Sequence, residues 1–280
     1  AKYCLDCSYT DLTERNRDIS LFVKDPYGLP YIPGSSLKGA VRTALLGYKL
    51  SKNSQMGQLQ SDIRYNSRAR NRNELSKKLR GSSRILEETF HTLEREKVKK
   101  ENAVCDELSG MRISDSKPMS VKDLILCQKI DKNIDGKDRV LPIFRECLKP
   151  KTKIYFDMTI DESICNYRKE DILEAVKYFF NNTNKQYKKY GALSQDRKCV
   201  ITIGGGAGYI SKTVPYNIYP DREVVQVVSN ILEASAPRHG HKNDVKRGVS
   251  PHTLKITKYG GRIYQFGQCE IKITENETPL

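Results

Sequence analysis

The order of apolar and polar residues predicts a strand and then a helix near the start of the chain. The segment ISLFVKD at 19–25 is typical of a strand, and a turn through PYG at 26–28 follows it. Apolar residues then recur at helical spacing over 37–48, which predicts a helix. We expect Ser35 or Ser36 to cap its start, because a serine hydroxyl accepts hydrogen bonds from the free N–H groups there.

A more polar stretch comes next. Residues 51–71 are typical of a loop, whereas 64–100 contains twelve Lys or Arg against five Glu. Apolar residues at helical spacing in this stretch, such as Leu75, Leu79 and Leu86, predict one or two basic helices inserted into a first domain. A solvated amphipathic face with no partner would give the same pattern.

Strands and helices alternate irregularly through the rest of the chain. The pattern predicts strands at 120–130, 139–148, 152–160 and 199–203, helices at 170–180 and 221–232, and a closing strand pair at 252–258 and 264–273. Neighbouring strands look like hairpins and not like repeated βαβ crossovers. This order favours an α+β fold with antiparallel sheets of ferredoxin type, and we expect domains at 1–118 and 119–280.

Charge narrows the class of partner. The 280 residues are 38% hydrophobic and 30% charged, with a net charge of +15 and a sequence pI of about 9.4. Such a basic excess indicates binding to an extended polyanion, and nucleic acid is the expected one. A membrane surface is the rival partner, but it would need the basic charge of the chain concentrated opposite the apolar face of a helix, and we find no helix with that concentration. No apolar run approaches the roughly 20 residues that cross a bilayer.

Eight cysteines are scattered along the chain and do not form a disulfide framework. Cys4 and Cys7 are spaced like half of a zinc site, but a zinc ribbon needs four ligands and no second pair is evident. We therefore expect free thiols in a reducing cytoplasm, with no metal and no cofactor. The chain begins without Met, and we expect its native N-terminus to be missing.

The segment IPGSSLKGAVR has the composition of a phosphate clamp. Its two glycines let a phosphate approach the backbone, its serines offer hydroxyl donors, and its basic residues project from one side of the helix. The candidate binding residues are Gly34, Ser35, Ser36, Lys38, Gly39 and Arg42. It is not a Walker A loop, since Ala40 and Val41 stand where that motif requires Lys and Ser or Thr. A capped surface helix with a solvated lysine remains the alternative.

A second loop, GGGAGYISKT at 204–213, follows the predicted strand at 199–203 and is termed the glycine loop. Backbone amides in such a loop can form an anion-binding nest, with Tyr209 placed for stacking and Lys212 for a phosphate contact. Its candidate binding residues are Gly204, Gly205, Gly206, Gly208, Tyr209 and Lys212. A dinucleotide-binding motif is disfavoured, because Tyr209 stands where the third glycine belongs.

These segments together carry a family resemblance. YIPGSSLKGAVRTALL resembles the PGSSLKGAIR signature of the RAMP superfamily, and the glycine loop resembles that superfamily's C-terminal glycine-rich loop. SPHTLK at 250–255 and YQFGQCEIKI resemble the tail of one RAMP family, the subunits that cap the guide-RNA 3′ end in type III-A CRISPR–Csm complexes. Members usually open with a strand and a loop around GPIHIGSG, which this chain lacks, so we expect that part of the RNA surface to be missing.

The resemblance implies two RRM-like, ferredoxin-type RAMP domains and a non-catalytic, cytoplasmic, crRNA-binding subunit. It implies contacts with the backbone RAMP subunit, the small subunit and target RNA. It also implies a part in crRNA 3′-end trimming with recruited host ribonucleases.

A metal-independent RAMP endoribonuclease is the alternative, because related guide-processing proteins use His, Tyr or Lys as acid and base. The candidate histidines are His91, His239, His241 and His252. His252 lies in SPHTLK, where a phosphate contact or a structural role is equally natural. Asp115 in RISDS invites comparison with the loop aspartate of the RNA-cleaving backbone subunit, but this segment resembles a strand-edge motif found across RAMP proteins. A scaffold whose basic helices bind a protein is a third possibility.

Overall fold

The chain folds as a mixed α+β protein, as the sequence predicts. The computed structural model describes residues 3–13, 18–53, 56–191 and 199–275. The strands are β1 Asp18–Ser20, β2 Met111–Ile113, β3 Leu124–Asn133, β4 Arg139–Leu148, β5 Met158–Ile160, β6 Val200–Thr202, β7 Thr253–Tyr259, β8 Arg262–Gln265 and β9 Gln268–Glu270. The helices are α1 Gly34–Lys52, α2 Met56–Asn66, α3 Arg72–Glu87, α4 Lys169–Lys188, α5 Pro215–Ile218, α6 Asp221–Ser235 and α7 Asp244–Arg247.

One five-stranded sheet and two short ribbons make up the β structure. The sheet has the strand order β1-β4-β3-β7-β8, and β2–β5 and β6–β9 form antiparallel pairs of their own. Its centre is the β3–β4 hairpin, which pairs Leu124 with Leu148 and carries an irregularity between Gln128 and Ile130. Strand β1 lies at the edge and runs parallel to β4. The last two strands belong to different sheets, because β8 pairs with β7 in the five-stranded sheet whereas β9 pairs with β6.

The helices pack together on a shared apolar core. Helix α1 contributes Val41 and Leu45, and α4 contributes Ile172 and Val176 to the same cluster of buried side chains. Helix α6 adds a third buried face through Val224, Val225, Val227 and Val228. The apolar spacing that predicted these three helices is therefore the spacing of their buried faces.

Helix α2 corrects the prediction of a loop over 51–71. Its buried residues are Met56, Leu59 and Ile63, a spacing of three and four that forms one helical face. This face is short and surrounded by polar residues, so its signal in the sequence is weak. The tertiary contacts that stabilise it include the bond from the Tyr219 hydroxyl to the Gln60 carbonyl at 2.7 Å.

Two predicted strands are shorter than expected. The pattern at 19–25 yields only β1, because a bridge from Lys24 to Pro30 turns the chain back. The alternation at 152–160 yields only β5.

Two strand pairs, β1–β4 and β2–β5, join residues on either side of position 118. The division into domains at 1–118 and 119–280 stays a prediction. Within the described ranges, no helix is long and apolar enough to cross a membrane.

A buried carboxylate on β4 fastens the N-terminal segment to the sheet. Glu146 accepts from the Tyr3 hydroxyl at 2.5 Å, the Phe22 N–H at 2.8 Å and the Lys24 ammonium at 2.5 Å. Burial alone would raise the pKa of Glu146, but the three donors outweigh it and hold the pKa below its usual value. Glu146 therefore stabilises the fold when it is ionised.

We expect Glu146→Gln to lower the free energy of unfolding near neutral pH by about 3 kcal/mol, because it leaves Lys24 without its counter-charge. A carboxylate with a depressed folded-state pKa contributes stability above its unfolded pKa and loses it as pH falls through the folded value. The gap between variant and parent should therefore shrink below about pH 4. Urea denaturation at pH 7 and pH 3.5 measures this, with exposed Glu96→Gln as control. A gap independent of pH would contradict the assignment.

The two glycines of the first motif differ in what surrounds them. A Cβ at Gly34 would lie 2.2 Å from the Ile113 carbonyl oxygen and 2.3 Å from that of Ser114, whereas a Cβ at Gly39 would meet no atom within 4 Å. Gly34 is thus required by the close approach of α1 to the end of β2. Gly39 faces open space.

We predict opposite effects for alanine at these glycines. Gly34→Ala should lower the free energy of unfolding by about 1–3 kcal/mol, the usual cost of forcing extra atoms into packed structure. Gly39→Ala should raise it by up to about 1 kcal/mol, because alanine favours an exposed helix position over glycine. Urea denaturation of the two variants provides the comparison. Equal effects would show that the approach of α1 to β2 does not constrain Gly34.

Candidate nucleic-acid interface

A large cleft separates the β2–β5 side of the molecule from the side formed by β4, β6, β8 and β9. Its volume is about 2260 Å³. Leu37 and Val41 of α1 and Ile172 of α4 give it apolar surface, and the segment 149–160 forms much of one wall.

Basic side chains outnumber acidic ones along the cleft, nine to six. The basic residues are Lys117, Arg145, Lys149, Lys151, Lys153, Arg168, Lys169, Arg262 and Lys272. Three of the six acidic residues are already paired, Glu146 with Lys24, and Glu170 and Glu275 with Lys169. The remaining charge is positive, which suits an anionic backbone.

The glycine loop lies directly on a guanidinium. Gly204, Gly206 and Gly208 have φ of +81°, +82° and +86°, a conformation that side chains other than glycine rarely adopt. A Cβ at Gly205 would lie 2.7 Å from Nη1 of Arg145, and one at Gly206 would lie 3.2 Å from its Nε. Among the described residues, no carboxylate forms an ion pair with Arg145. The loop thus presents backbone amides beside an unpaired guanidinium, an arrangement that binds anions.

Two further cations lie close to Arg145. Burial lowers the pKa of Lys129, and the nearby positive charges of Lys255 and Arg145 lower it further. A Cβ at Gly208 would lie 3.5 Å from Cγ of Lys255, and the Lys255 ammonium pairs with Asp131 at 2.6 Å. The site therefore holds more positive than negative charge, and a bound phosphate would relieve that repulsion.

Arg145, Lys129 and Lys255 were not predicted as site residues. They lie on β4, β3 and β7, far in sequence from the glycine loop. One feature of the sequence could have pointed to two of them. Lys129 and Arg145 are charged residues within central strands that contain apolar runs. Tyr155 was also missed: it lines the cleft beside Lys153, and its side chain is 59% exposed. An exposed aromatic ring among cations is suited to stacking on a base.

Tyr209 is partly buried and contacts the core. Its ring packs edge-on against Tyr216 at 6.4 Å between centroids, and burial raises its pKa to about 12. This contact favours a structural role in the glycine loop, and stacking on a base stays a prediction. The predicted phosphate contact of Lys212 stays a prediction. Its ammonium donates a long hydrogen bond to the Thr202 carbonyl at 3.4 Å, and burial lowers its pKa.

The start of α1 also differs from expectation. Pro33 is the N-cap residue and no side chain caps the helix, so neither Ser35 nor Ser36 has the predicted capping role. Instead, the carboxylate of Asp115 accepts from the Gly34 N–H at 2.8 Å. The positive end of the helix is thus already bound by an anion of the chain itself.

Lys38 and Arg42 project from one side of α1, as predicted, but both have intramolecular partners. The Lys38 ammonium donates to the Met111 carbonyl at 2.6 Å, and burial lowers its pKa. Arg42 pairs with Asp106 and stacks on Phe90 at 4.7 Å from the ring centroid. Neither residue lines the cleft. An RNA contact by either stays a prediction, and it would require breaking these bonds.

Of the first motif, Ser36 is the candidate that reaches the cleft, where Gly204 and Gly205 also lie. The tertiary structure therefore brings part of both predicted loops to one surface. His252 is not there: its Nδ1 lies 2.6 Å from Oδ1 of buried Asp244. A phosphate contact by His252 stays a prediction, with a structural role favoured by this geometry.

Residues 12–211, well over half of the chain, match the RAMP superfamily. The class of protein is thereby defined, and the resemblance carried by the two glycine-bearing loops is confirmed.

The relatives define the family more narrowly. Over 274 residues the chain is 32% identical to "CRISPR system Cms protein Csm5" of Mycobacterium tuberculosis, covering 93% of this chain and 68% of that protein. Over 271 residues it is 28% identical to the protein of the same name from Enterococcus italicus, covering 90% of this chain and 62% of that one. The chain therefore belongs to the RAMP superfamily and, within it, to the Csm5 family.

A solved structure shares the fold. A chain of the cryo-EM structure of a Csm–crRNA–target RNA ternary complex from a type III-A CRISPR–Cas system superimposes with a TM-score of 0.56. The two are 17% identical, and the match covers 91% of this chain and 75% of that one. At this identity the likeness concerns the fold alone.

Proposed function

We propose that the chain is the guide-RNA-binding subunit of a type III-A Csm complex, that it caps the 3′ end of the crRNA and helps its maturation, and that it is not itself a catalyst. The observation that carries the proposal is the glycine loop resting on the unpaired guanidinium of Arg145 inside a basic cleft. Membership of the Csm5 family supports the assignment to this complex.

In this proposal the RNA backbone follows the cleft. A phosphate would be held between the amides at Gly204 and Gly205 and the Arg145 guanidinium, with the Ser36 hydroxyl nearby. Lys149, Lys151 and Lys153 would contact successive phosphates. Such contacts hold RNA without regard to base sequence, which suits a protein that must accept any guide.

The partners follow from the family. We propose that the chain contacts the backbone RAMP subunit, the small subunit and target RNA, and that host ribonucleases recruited to it trim the guide. Division into two RRM-like domains, with 64–100 as a basic insertion, belongs to the same proposal.

The alternative, a metal-independent RAMP endoribonuclease, has less support. No histidine lines the cleft in the described part of the chain. His91 is buried with Nδ1 at 3.1 Å from the Lys100 carbonyl, and His241 and His252 both bond to Asp244. Asp115, the candidate loop aspartate, is bound to the start of α1. These contacts support a structural role for His91, His241, His252 and Asp115, whereas His239 is exposed and lies outside the cleft.

We predict that Arg145→Ala weakens guide-RNA binding about tenfold, the value of one charge-assisted contact. The loss should be equal for guides of scrambled sequence, and the slope of log affinity against log salt should fall by about one unit. Fluorescence anisotropy with labelled guide RNA at two or more salt concentrations measures both quantities.

The matched control is Lys246→Ala, which removes one positive charge from exposed α7, outside the cleft. It should leave affinity and salt slope near those of the parent. Equal losses in the two variants would mean that net charge and not the glycine loop holds the RNA. An Arg145→Ala loss that depends on guide sequence would indicate base recognition instead.

We further predict that the purified chain does not cleave guide or target RNA, with or without divalent metal. Gel analysis of labelled RNA after prolonged incubation tests this. Cleavage that disappears in His252→Ala, with the circular dichroism spectrum unchanged, would support the endoribonuclease alternative. Cleavage that persists in every histidine variant would point to a contaminating nuclease.

A further inference from the structure

A compact group of metal-binding side chains lies outside the cleft, where α7 meets the start of β7. Asp244 is fully buried, His241 is 6% exposed, and His252 is half-buried beside them. Oδ2 of Asp244 lies 2.8 Å from Nδ1 of His241, and Oδ1 lies 2.6 Å from Nδ1 of His252. The imidazole centroids are 4.9 Å apart. One potential ligand atom from each residue falls within 4.8 Å of the other two.

The donor set has a definite metal preference. Two imidazole nitrogens and one carboxylate oxygen suit Zn²⁺ and its neighbours Co²⁺ and Ni²⁺, whereas Mg²⁺ and Ca²⁺ prefer oxygen ligands alone. Three protein ligands are the number found in zinc sites whose fourth position is taken by water. The Ser250 hydroxyl, 2.8 Å from Oδ2 of Asp244, would hold the carboxylate in place.

We propose that His241, Asp244 and His252 form a binding site for one divalent transition-metal ion of the Zn²⁺ class. Without the ion, each Nδ1 carries a proton and donates it to Asp244, because an ionised carboxylate only accepts. With the ion, each Nδ1 is a ligand, and the ring proton moves to Nε2 without net loss. The exchange needs no change of backbone, since the three residues already converge.

The ion would join two parts of the fold. His241 and Asp244 lie at the start of α7, and His252 immediately precedes β7. Lys255, three residues further along β7, lies against Gly208 of the glycine loop. A metal at this place would hold β7 where it supports the loop. The proposal does not depend on RNA binding, because none of the three residues lines the cleft.

Isothermal titration calorimetry of the chelator-treated 280-residue chain with Zn²⁺ tests the proposal. We expect one ion per chain and a higher melting temperature in its presence, because the ion binds the folded state. His252→Ala and His241→Ala should each weaken binding by more than about 100-fold, the upper end of what loss of an outer-shell partner costs. Co²⁺ should give visible absorption without thiolate charge-transfer bands, which excludes binding at Cys4 and Cys7.

The matched control is His239→Ala. Its ring lies 6.3 Å from that of His241, but it does not contact Asp244, so this variant should bind Zn²⁺ like the parent. Asp244→Asn provides a second test, with circular dichroism and melting temperature to verify folding. If a variant is unfolded and cannot be compared, the measurements on the parent protein are sufficient. The proposal is overturned if the parent neither binds one Zn²⁺ ion per chain nor melts at a higher temperature with Zn²⁺ present. Equal loss in His239→Ala, or none in His252→Ala, overturns it as well.

Discussion

The arrangement of the candidate interface depends on the contact between the glycine loop and Arg145. The loop ends the β6–β9 ribbon, and Arg145 belongs to the centre of the five-stranded sheet. A side chain at position 205 or 206 would strike the guanidinium. The glycines therefore serve two purposes at once: they permit positive φ, and they let a ribbon lie close to the charged face of the sheet. A residue with a Cβ at position 205 or 206 would force the Arg145 side chain to shift.

The contact holds several positive charges close together at the candidate interface. Arg145 and Lys129 are held near each other, and Lys255, neutralised in part by Asp131, lies beside them. By contrast, Lys24 is neutralised by Glu146 and Arg42 by Asp106. An excess of positive charge is thus left beside the glycine loop, whose Gly204 and Gly205 line the cleft. Uncompensated charge of this kind is a common mark of a binding site.

Several residues of the first motif, IPGSSLKGAVR, make contacts within the fold and do not line the cleft. Gly34 lets α1 approach β2, Asp115 bonds to the helix start, and Lys38 and Arg42 fasten the other side of the helix to residues 106–111. Most of the motif thus serves to hold α1 in place. A sequence signature can be strong because the packing it encodes is demanding, even when few of its residues face the ligand.

The sequence by itself determined the α+β class, the helices α1, α4 and α6, the long strands β3 and β4 and the two loops that mark the RAMP superfamily. These features are local, because helical and strand periodicity and glycine-rich loops are set by neighbouring residues. Only the tertiary structure decided that Tyr209 packs against the core, that Lys38 and Arg42 bond within the chain, and that Arg145 and Tyr155 face the cleft. Those outcomes depend on which strands pair and which charges meet across tens of residues. Periodicity carries no information about such contacts between distant segments.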